Sequence, residues 1–189
     1  MSEAKKTSSV FETIIKPIIV LSVICLVTST LLAYTNSITA PIIAAAEQAA
    51  AQAAYKEVLP EADSFTEMTA ETPVEGVEAV MKANNGAGWV FKASGKGYGG
   101  AVPVVVAVDN DGNILQVKFM QNSESAGFGM KLWDGNAEGP AFAEAMVGKS
   151  GTVTLFADGV DGITGATISS MAAVNAVNTA LASFAELNA

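Results

Sequence analysis

The chain contains no histidine and only one cysteine, Cys25, among its 189 residues. Without histidine, Ser-His-Asp and Cys-His catalytic arrangements are excluded, as are imidazole ligands for zinc or haem. One cysteine can hold neither an iron–sulfur cluster nor an intramolecular disulfide. We therefore predict no metal site and no catalytic side chains, so any redox role requires an organic cofactor.

Basic residues are also scarce, because 10 Lys and Arg stand against 19 Asp and Glu, which gives a formal net charge of -9. A surface of this sign repels phosphate backbones, so nucleic acid is not expected as a partner. The length that remains after an apolar N-terminal stretch is enough for one folded domain with a hydrophobic core.

The apolar stretch runs from Ile14 to Tyr34 and is long enough for the roughly 20 helical residues that a bilayer core requires. Lys5 and Lys6 precede it, whereas the first charge after it is Glu47. The positive-inside rule then predicts the orientation of a single-pass membrane protein that is embedded in lipid. Residues 1–13 would be cytoplasmic, and the C-terminal part would be extracytoplasmic.

Two other interpretations of this stretch remain open. A cleaved signal peptide would have a shorter apolar core, with a cleavage site within Pro41–Gln48. A lipoprotein signal is less favoured, because Ile24 stands where a small residue should precede Cys25. We expect Cys25 to be an unreactive membrane-helix residue.

Residues 35–73 are predicted to form a stalk helix and a linker. Ile42–Leu59 is rich in alanine, lacks glycine and is followed by Pro60, as expected of a helix that stops before a proline. Glu61–Pro73 has no clear periodicity and is interpreted as a loop or linker.

From Val74 onward the pattern favours β-structure, and residues 74–189 are predicted to form the folded domain. The segments 88–100 and 101–108 resemble strands, "DNDG" at Asp109–Gly112 has turn chemistry, and 113–120 alternates like the returning strand of a hairpin. A last helix should begin near Thr167–Ser170. One stripe of it carries Met171, Val174, Asn178, Leu181 and Phe184.

Two glycine motifs imitate nucleotide sites. Gly95, Gly97 and Gly100 have the spacing G-x-G-x-x-G, but a valine-rich strand follows where the dinucleotide fingerprint requires a helix. We interpret them as a bend where a bulky group approaches the backbone. Gly148–Ser150 resembles the end of a phosphate loop, yet Ala143 stands where its first glycine is needed.

Hydroxyl groups are concentrated in "DGITGATISS", Asp161–Ser170, directly before the last helix. Amide N–H groups of a first helical turn lack internal partners, and the helix dipole leaves partial positive charge there, so the position suits a phosphate group. The alternative is that a Thr or Ser side chain only caps the helix.

The same segment matches the motif D-x-x-[ST]-G-A-T, on which a flavin transferase attaches FMN through a phosphoester to the last threonine. On that match the acceptor is Thr167. The other specified positions are Asp161, Thr164, Gly165 and Ala166. The chain resembles the family that comprises the G subunit of the Rnf electron-transport complex and the C subunit of the sodium-pumping NADH:quinone reductase. Further features that carry this resemblance are the single span, "VLP" at Val58–Pro60, "GKGYGG", "VDNDGNI" and Gly148-Lys149.

The resemblance implies an α+β fold, in which a transmembrane helix and a stalk helix precede an FMN-binding domain with a largely antiparallel sheet and flanking helices. It implies covalent FMN, a flavin transferase for maturation, and partners among the other membrane and redox subunits of an ion-translocating ferredoxin:NAD oxidoreductase. The subunit would carry electrons and would not be catalytic alone. Besides the helix amides, Thr164, Ser169 and Ser170 are the candidate phosphate ligands.

One segment departs from the family pattern. The family has E-T-P-G-L-G after the hairpin, whereas this chain has "ESAGFG" at 124–129. Carried over by position, Glu124, Ser125, Gly127 and Phe128 are expected in the flavin pocket, and Phe128 can stack on the flavin ring.

Two alternatives to the Rnf interpretation stay open. The first is the C subunit of the sodium-pumping reductase, although the shortness of the chain favours the Rnf protein. The second is a pilin-like surface protein, which should carry a cleavable glycine before the apolar stretch. No glycine precedes Gly76.

Overall fold

The computed structural model describes residues 11–68, 74–133, 135–157 and 159–188. The chain divides into two compact units, residues 1–49 and 50–189.

The first unit is helical and apolar over its described residues. A π-helical turn at Phe11–Ile15 leads into helix α1, Lys16–Val58, whose last residues belong to the second unit. The segment is long and apolar enough to cross a membrane, and none of its most apolar window is buried. The two segments predicted as a span and a stalk helix therefore lie in one helix, with Pro41 inside it, and the helix ends just before Leu59 and Pro60.

The second unit contains a five-stranded sheet whose neighbouring strands are all antiparallel. The strands follow one another in sequence order: β1 Phe65–Glu67, β2 Val77–Ala83, β3 Trp89–Lys96, β4 Ala101–Val108 and β5 Ile114–Phe119. Helix α2 (Glu138–Glu144) and helix α3 (Thr167–Leu187) flank the sheet. The predicted α+β class and the hairpin of β4 and β5 are confirmed.

Strand β1 corrects the interpretation of Glu61–Pro73 as a loop or linker throughout. It pairs with β2, and Phe65 lies opposite Ala83. Only three residues long and largely exposed, β1 has too few positions to show an alternating pattern. Its pairing with a later strand determines its conformation. Residues 69–73 of the predicted linker lie outside the described residues.

The sheet is covered on both faces, which explains why β4 is almost continuously apolar. Val102, Val104 and Val106 pack in a core with α2 and α3. Val105 and Ala107 point to the opposite face, where they pack with residues 51–59 at the end of α1. Because successive side chains of a strand alternate between faces, a strand buried on both sides loses its polar positions.

Helix α3 begins at Thr167, within the predicted window, and packs against β3 and β4 through small residues, among them Ala172 and Ala176. It is apolar enough to pass as a membrane span, but most of it is buried in the domain. Met171, assigned to its apolar stripe, is 50 % exposed.

The predicted turn between β4 and β5 is held by the Asp109 carboxylate. This group accepts hydrogen bonds from the Asp111 amide at 2.9 Å, the Asn113 amide at 2.8 Å and the Asn113 side chain at 2.8 Å. Burial favours the neutral acid, but the hydrogen bonds outweigh it and hold the pKa of Asp109 below its usual value.

Glycine at position 95 is required by the close approach of β3 to α3. A Cβ on Gly95 would overlap the Ala172 carbonyl group, and both atoms of that carbonyl belong to a rigid helix backbone. The nearest atom to a Cβ on Gly100, by contrast, would be Ser123 Cβ at 3.6 Å, an ordinary contact. The two glycines thus form a matched pair for testing the helix–sheet contact.

We predict that Gly95→Ala destabilises the domain by about 2 kcal/mol or more, because overpacking a tight contact forces the backbone to shift. Gly100→Ala should change stability by less than about 1 kcal/mol. The measurement is urea unfolding of the detergent-solubilised chain, followed by near-ultraviolet circular dichroism. Equal midpoints for the two variants would contradict the close packing of α3 on β3.

Candidate functional site

A pocket of about 490 Å³ lies where three separate segments of the second unit meet. Its walls come from the glycine-rich loop between β3 and β4, from the segment after β5, and from the first turn of α3. The lining residues are Tyr98, Glu124, Ser125, Phe128, Gly129, Gly165, Ala166, Thr167, Ile168 and Ser169. The pocket thus brings together seven of the eleven site residues that the sequence predicts.

The N-terminus of α3 is not capped by a side chain. Its N-cap residue is Ala166, and the first helical hydrogen bond runs from the Ser170 amide to the Ala166 carbonyl at 2.8 Å. Within the described residues, the amides of Thr167, Ile168 and Ser169 have no hydrogen-bond acceptor. The capping alternative is therefore wrong, and three N–H groups remain available to an anion.

The Thr167 side chain stands at this uncapped turn. It is exposed, it lines the pocket, and its hydroxyl has no hydrogen-bond partner among the residues that the structure describes. An exposed hydroxyl thus lies beside free amides at the positive end of a helix, where an anion such as a phosphate is favoured.

The two serines of the same turn are already engaged inside the protein. Ser169 donates its hydroxyl hydrogen bond to Glu124 Oε2. The fully buried Ser170 accepts one from the Ile163 amide, with a distance of 3.0 Å between Ile163 N and Ser170 Oγ. These contacts hold the motif loop and the segment after β5 against the first turn of α3.

Glu124 is the buried centre of the pocket wall, with 5 % of its surface exposed. Its Oε1 accepts a hydrogen bond from the Gly99 amide, and the N–O distance is 2.7 Å. A Cβ on Gly97 would lie 3.0 Å from Glu124 Cδ, and one on Gly129 would lie 2.6 Å from Glu124 Cβ. Gly95 and Gly97 thus lie where another group approaches the backbone, as predicted, whereas Gly100 makes only an ordinary contact.

Two aromatic side chains border the pocket and face solvent, Tyr98 with 76 % and Phe128 with 56 % of its surface exposed. Gly165 has φ +79°, and a Cβ there would lie 3.3 Å from Phe128 Cδ1, so glycine leaves this ring its place. Exposed aromatic rings beside an accessible hydroxyl can stack on a planar cofactor.

Sequence reasoning did not assign Tyr98 and Ile168 to the site, although both line the pocket. Tyr98 stands within the quoted segment "GKGYGG", which was recognised as a motif. Nothing in the local pattern placed this motif beside the helix that begins about seventy residues later. That proximity follows from the packing of α3 on β3.

The other four predicted residues lie outside the pocket lining. Asp161 and Thr164 line a neighbouring pocket of about 310 Å³ beside α2. Gly127 forms a turn with φ +76°, and Ser170 is buried beneath the helix. A further groove of about 510 Å³ runs along β5 and α2 and contains none of the predicted site residues.

Comparisons with known proteins agree with this geometry. Residues 97–182 match the family described as FMN-binding domain, and residues 1–58 match the RnfG N-terminal region. The first match contains all of the residues that line the pocket, and the second ends with helix α1. The chain therefore combines a segment similar to the RnfG N-terminal region with a segment similar to FMN-binding domains.

Three relatives are named as G subunits of ion-translocating oxidoreductase complexes. The chain is 28 % identical over 170 residues to the G subunit of the Na(+)-translocating ferredoxin:NAD(+) oxidoreductase complex of Acetobacterium woodii, a match that covers 80 % of this chain and 82 % of that protein. Identity to the G subunit of the ion-translocating oxidoreductase complex of Cereibacter sphaeroides is 31 % over 140 residues, or 70 % of this chain and 63 % of that protein.

The third relative is the G subunit of the proton-translocating ferredoxin:NAD(+) oxidoreductase complex of Clostridium ljungdahlii, 27 % identical over 109 residues. That match spans 58 % of this chain and somewhat over half, 57 %, of the length of the relative. The relatives named for sodium and for proton translocation thus have nearly the same percent identity to this chain, over matches of different length.

The pocket also fits the FMN of the matched domain. One cavity is surrounded by a hydroxyl without an internal partner, three free amides and two exposed aromatic rings. Glycine at position 165 leaves room for the Phe128 ring beside it. The donor set suits a phosphate, and the rings suit a flat heterocycle.

We predict that Ser170→Ala lowers the stability of the domain by about 1–3 kcal/mol, because the buried Ile163 amide would lose its acceptor. Thr179→Ala on the same helix is the matched control, since the Thr179 hydroxyl only bonds to the Asn175 carbonyl of its own helix. Thermal unfolding of both variants checks the difference. Equal melting temperatures would mean that the Ser170 hydroxyl is not structural.

Proposed function

We propose that this chain is a membrane-anchored electron-carrier subunit of an ion-translocating ferredoxin:NAD oxidoreductase, with FMN bound covalently to Thr167. Two findings support the proposal: the match to the FMN-binding domain family, and relatives whose names place them in such complexes. The single observation that carries the attachment site is the free, exposed Thr167 hydroxyl at an uncapped helix N-terminus.

The phosphate of FMN would form an ester with Thr167 Oγ1. The amides of Thr167, Ile168 and Ser169 would then donate to the remaining phosphate oxygens, and the helix dipole would favour their negative charge. Thr164 and Ser170 remain proposed phosphate neighbours. Since the Ser170 hydroxyl accepts from the Ile163 amide, it would act mainly by holding the loop that precedes Thr167.

The ring system would lie between or beside Tyr98 and Phe128, whose exposed faces border the pocket. Ser125 and Gly129 would shape the wall, and Gly127 would form the turn that presents Phe128. Asp161 would act from the adjoining loop. FMN itself supplies the capacity to carry one or two electrons, so the protein needs only to hold it and tune its potential.

The covalent ester is proposed because it retains the cofactor at an open site. The pocket is open to solvent and Thr167 is exposed, so a flavin that is not covalently bound would dissociate easily. A flavin transferase is the proposed maturation partner, and other membrane and redox subunits are the proposed electron donors and acceptors. These subunits would supply the sites for ferredoxin and nicotinamide.

Helix α1 is proposed to anchor the chain in membrane lipid through residues 14–34. Lysines before this segment and their absence directly after it support a cytoplasmic N-terminus. The flavin domain, residues 74–189, would then lie on the extracytoplasmic side.

Two alternatives are less well supported. The relatives named above are G subunits of ferredoxin:NAD or ion-translocating oxidoreductases, which favours that complex over the sodium-pumping quinone reductase. A pilin-like surface protein would need no flavin pocket, and the match to the FMN-binding domain family argues against it.

We predict that Thr167→Ala abolishes covalent flavin attachment when the chain is produced together with a flavin transferase. The methyl group has no oxygen to form the ester. Wild type should fluoresce in a denaturing gel and gain the mass of one FMN, whereas the variant should do neither.

Two matched controls sharpen this experiment. Thr167→Ser keeps a hydroxyl at the same position and should retain some attachment, and Thr152→Ala removes an exposed hydroxyl outside the pocket and should leave the mass gain intact. Fluorescence that persists in Thr167→Ala would refute the attachment site. A wild-type chain without added mass would refute the covalent flavin.

We predict that a reporter active only outside the cytoplasm is active when it is fused after Ala189. A fluorescent protein that matures only in the cytoplasm, fused at the same position, should stay dark. The charge distribution around the apolar stretch is the physical reason. The reverse pair of signals would overturn the orientation.

A further inference from the structure

Glu124 carries a buried charge without an opposite charge beside it. Only 5 % of the surface of this residue is exposed, and none of the salt bridges among the described residues includes it. A buried carboxylate is costly unless hydrogen bonds replace its water. The Gly99 amide and the Ser169 hydroxyl supply those hydrogen bonds, one to each oxygen.

These two hydrogen bonds join segments that are far apart in the chain. Gly99 lies next to Tyr98 in the loop between β3 and β4, and Ser169 lies in the first turn of α3 with Thr167. The Glu124 amide in turn donates to Asn122 Oδ1 at 3.1 Å, which holds the backbone of the third segment. One carboxylate therefore connects all three walls of the pocket.

The surrounding glycines enclose this carboxylate tightly. Side chains at Gly97 or Gly129 would collide with Glu124, and one at Gly99 would lie 2.6 Å from the Ser123 carbonyl oxygen. The charge therefore has little room to move toward solvent. It must act on whatever occupies the pocket that Glu124 lines.

We propose that Glu124 is a positioning residue of the flavin site and that its uncompensated charge lowers the reduction potential of the bound flavin. This inference rests on the proposed function. Glu124 holds the Tyr98 loop against the turn that carries Thr167. Because a flavin gains electrons on reduction, a fixed negative charge close to it opposes that gain.

The charge is tested by Glu124→Gln in the full-length, flavin-bearing chain. The amide has nearly the same shape, its oxygen can still accept from Gly99, and its NH₂ group can donate to the Ser169 oxygen. We expect a more positive midpoint potential in a spectroelectrochemical titration, with the melting temperature largely retained. An unchanged or more negative potential in flavin-bearing Glu124→Gln would overturn the electrostatic role.

Two controls separate the charge from the hydrogen bonds. Ser169→Ala removes one hydrogen bond but keeps the carboxyl group, so it should lower the melting temperature and report the contribution of that hydrogen bond. Glu144→Gln removes an exposed negative charge outside the pocket, where solvent screens it, and should leave the potential unchanged. A positive shift of equal size in Glu144→Gln would show that net charge alone is responsible.

The positioning role is tested without flavin, by hydrogen exchange of the unmodified chain. Glu124→Ala should speed exchange of the Gly99 amide at least tenfold, because the amide loses its acceptor. Exchange of the amides that pair β3 with β4 serves as the internal reference, since a folded sheet stays protected. Unchanged exchange at Gly99 with the sheet intact would overturn the positioning role.

Failure of this inference is distinguishable from failure of the proposed function. If wild type carries no flavin, the proposed function fails and the exchange experiment still decides the positioning role. If wild type carries flavin and folded Glu124→Gln does not, the loss supports positioning. The potential can then be measured on Glu124→Asp, whose retained charge should keep it close to that of wild type, and a more positive potential in this variant would contradict the electrostatic role.

Discussion

The packing of helix α3 against strand β3 determines where the candidate site lies. Gly95 and the alanines of α3 allow the two backbones to approach closely, so the helix cannot slide without creating overlap. Its first turn is thereby held beside the loop that contains Tyr98. A helix N-terminus offers anion binding only where something can reach it, and this contact places it at an open pocket.

Polar contacts then complete what the apolar packing begins. The buried Glu124 carboxylate joins the glycine loop to α3, and Ser170 joins the motif loop to the same helix. Each contact uses a side chain that a flavin motif alone would assign to the cofactor. The Thr167 hydroxyl has no internal partner among the described residues, and Thr167 is also the residue that matches the acceptor position.

The sequence predicted the strands and helices that have a clear hydrophobic period or turn motif of their own. The alternation and turn chemistry of β4 and β5 predicted their hairpin, and the apolar stripe that starts at Met171 predicted where α3 begins. Strand β1 was missed, because three mostly exposed residues show no period. Tyr98 was not assigned to the site, since its neighbourhood depends on contacts between segments far apart in sequence.

The sequence by itself determined the chemistry that is available: an apolar helix long enough for a bilayer, no histidine or cysteine pair, and one threonine in a flavin motif. Only the tertiary structure decided which hydroxyls are free. Ser169 and Ser170 face internal partners while Thr167 faces the pocket, because successive residues on a helix point in different directions and only packing fixes which direction is buried.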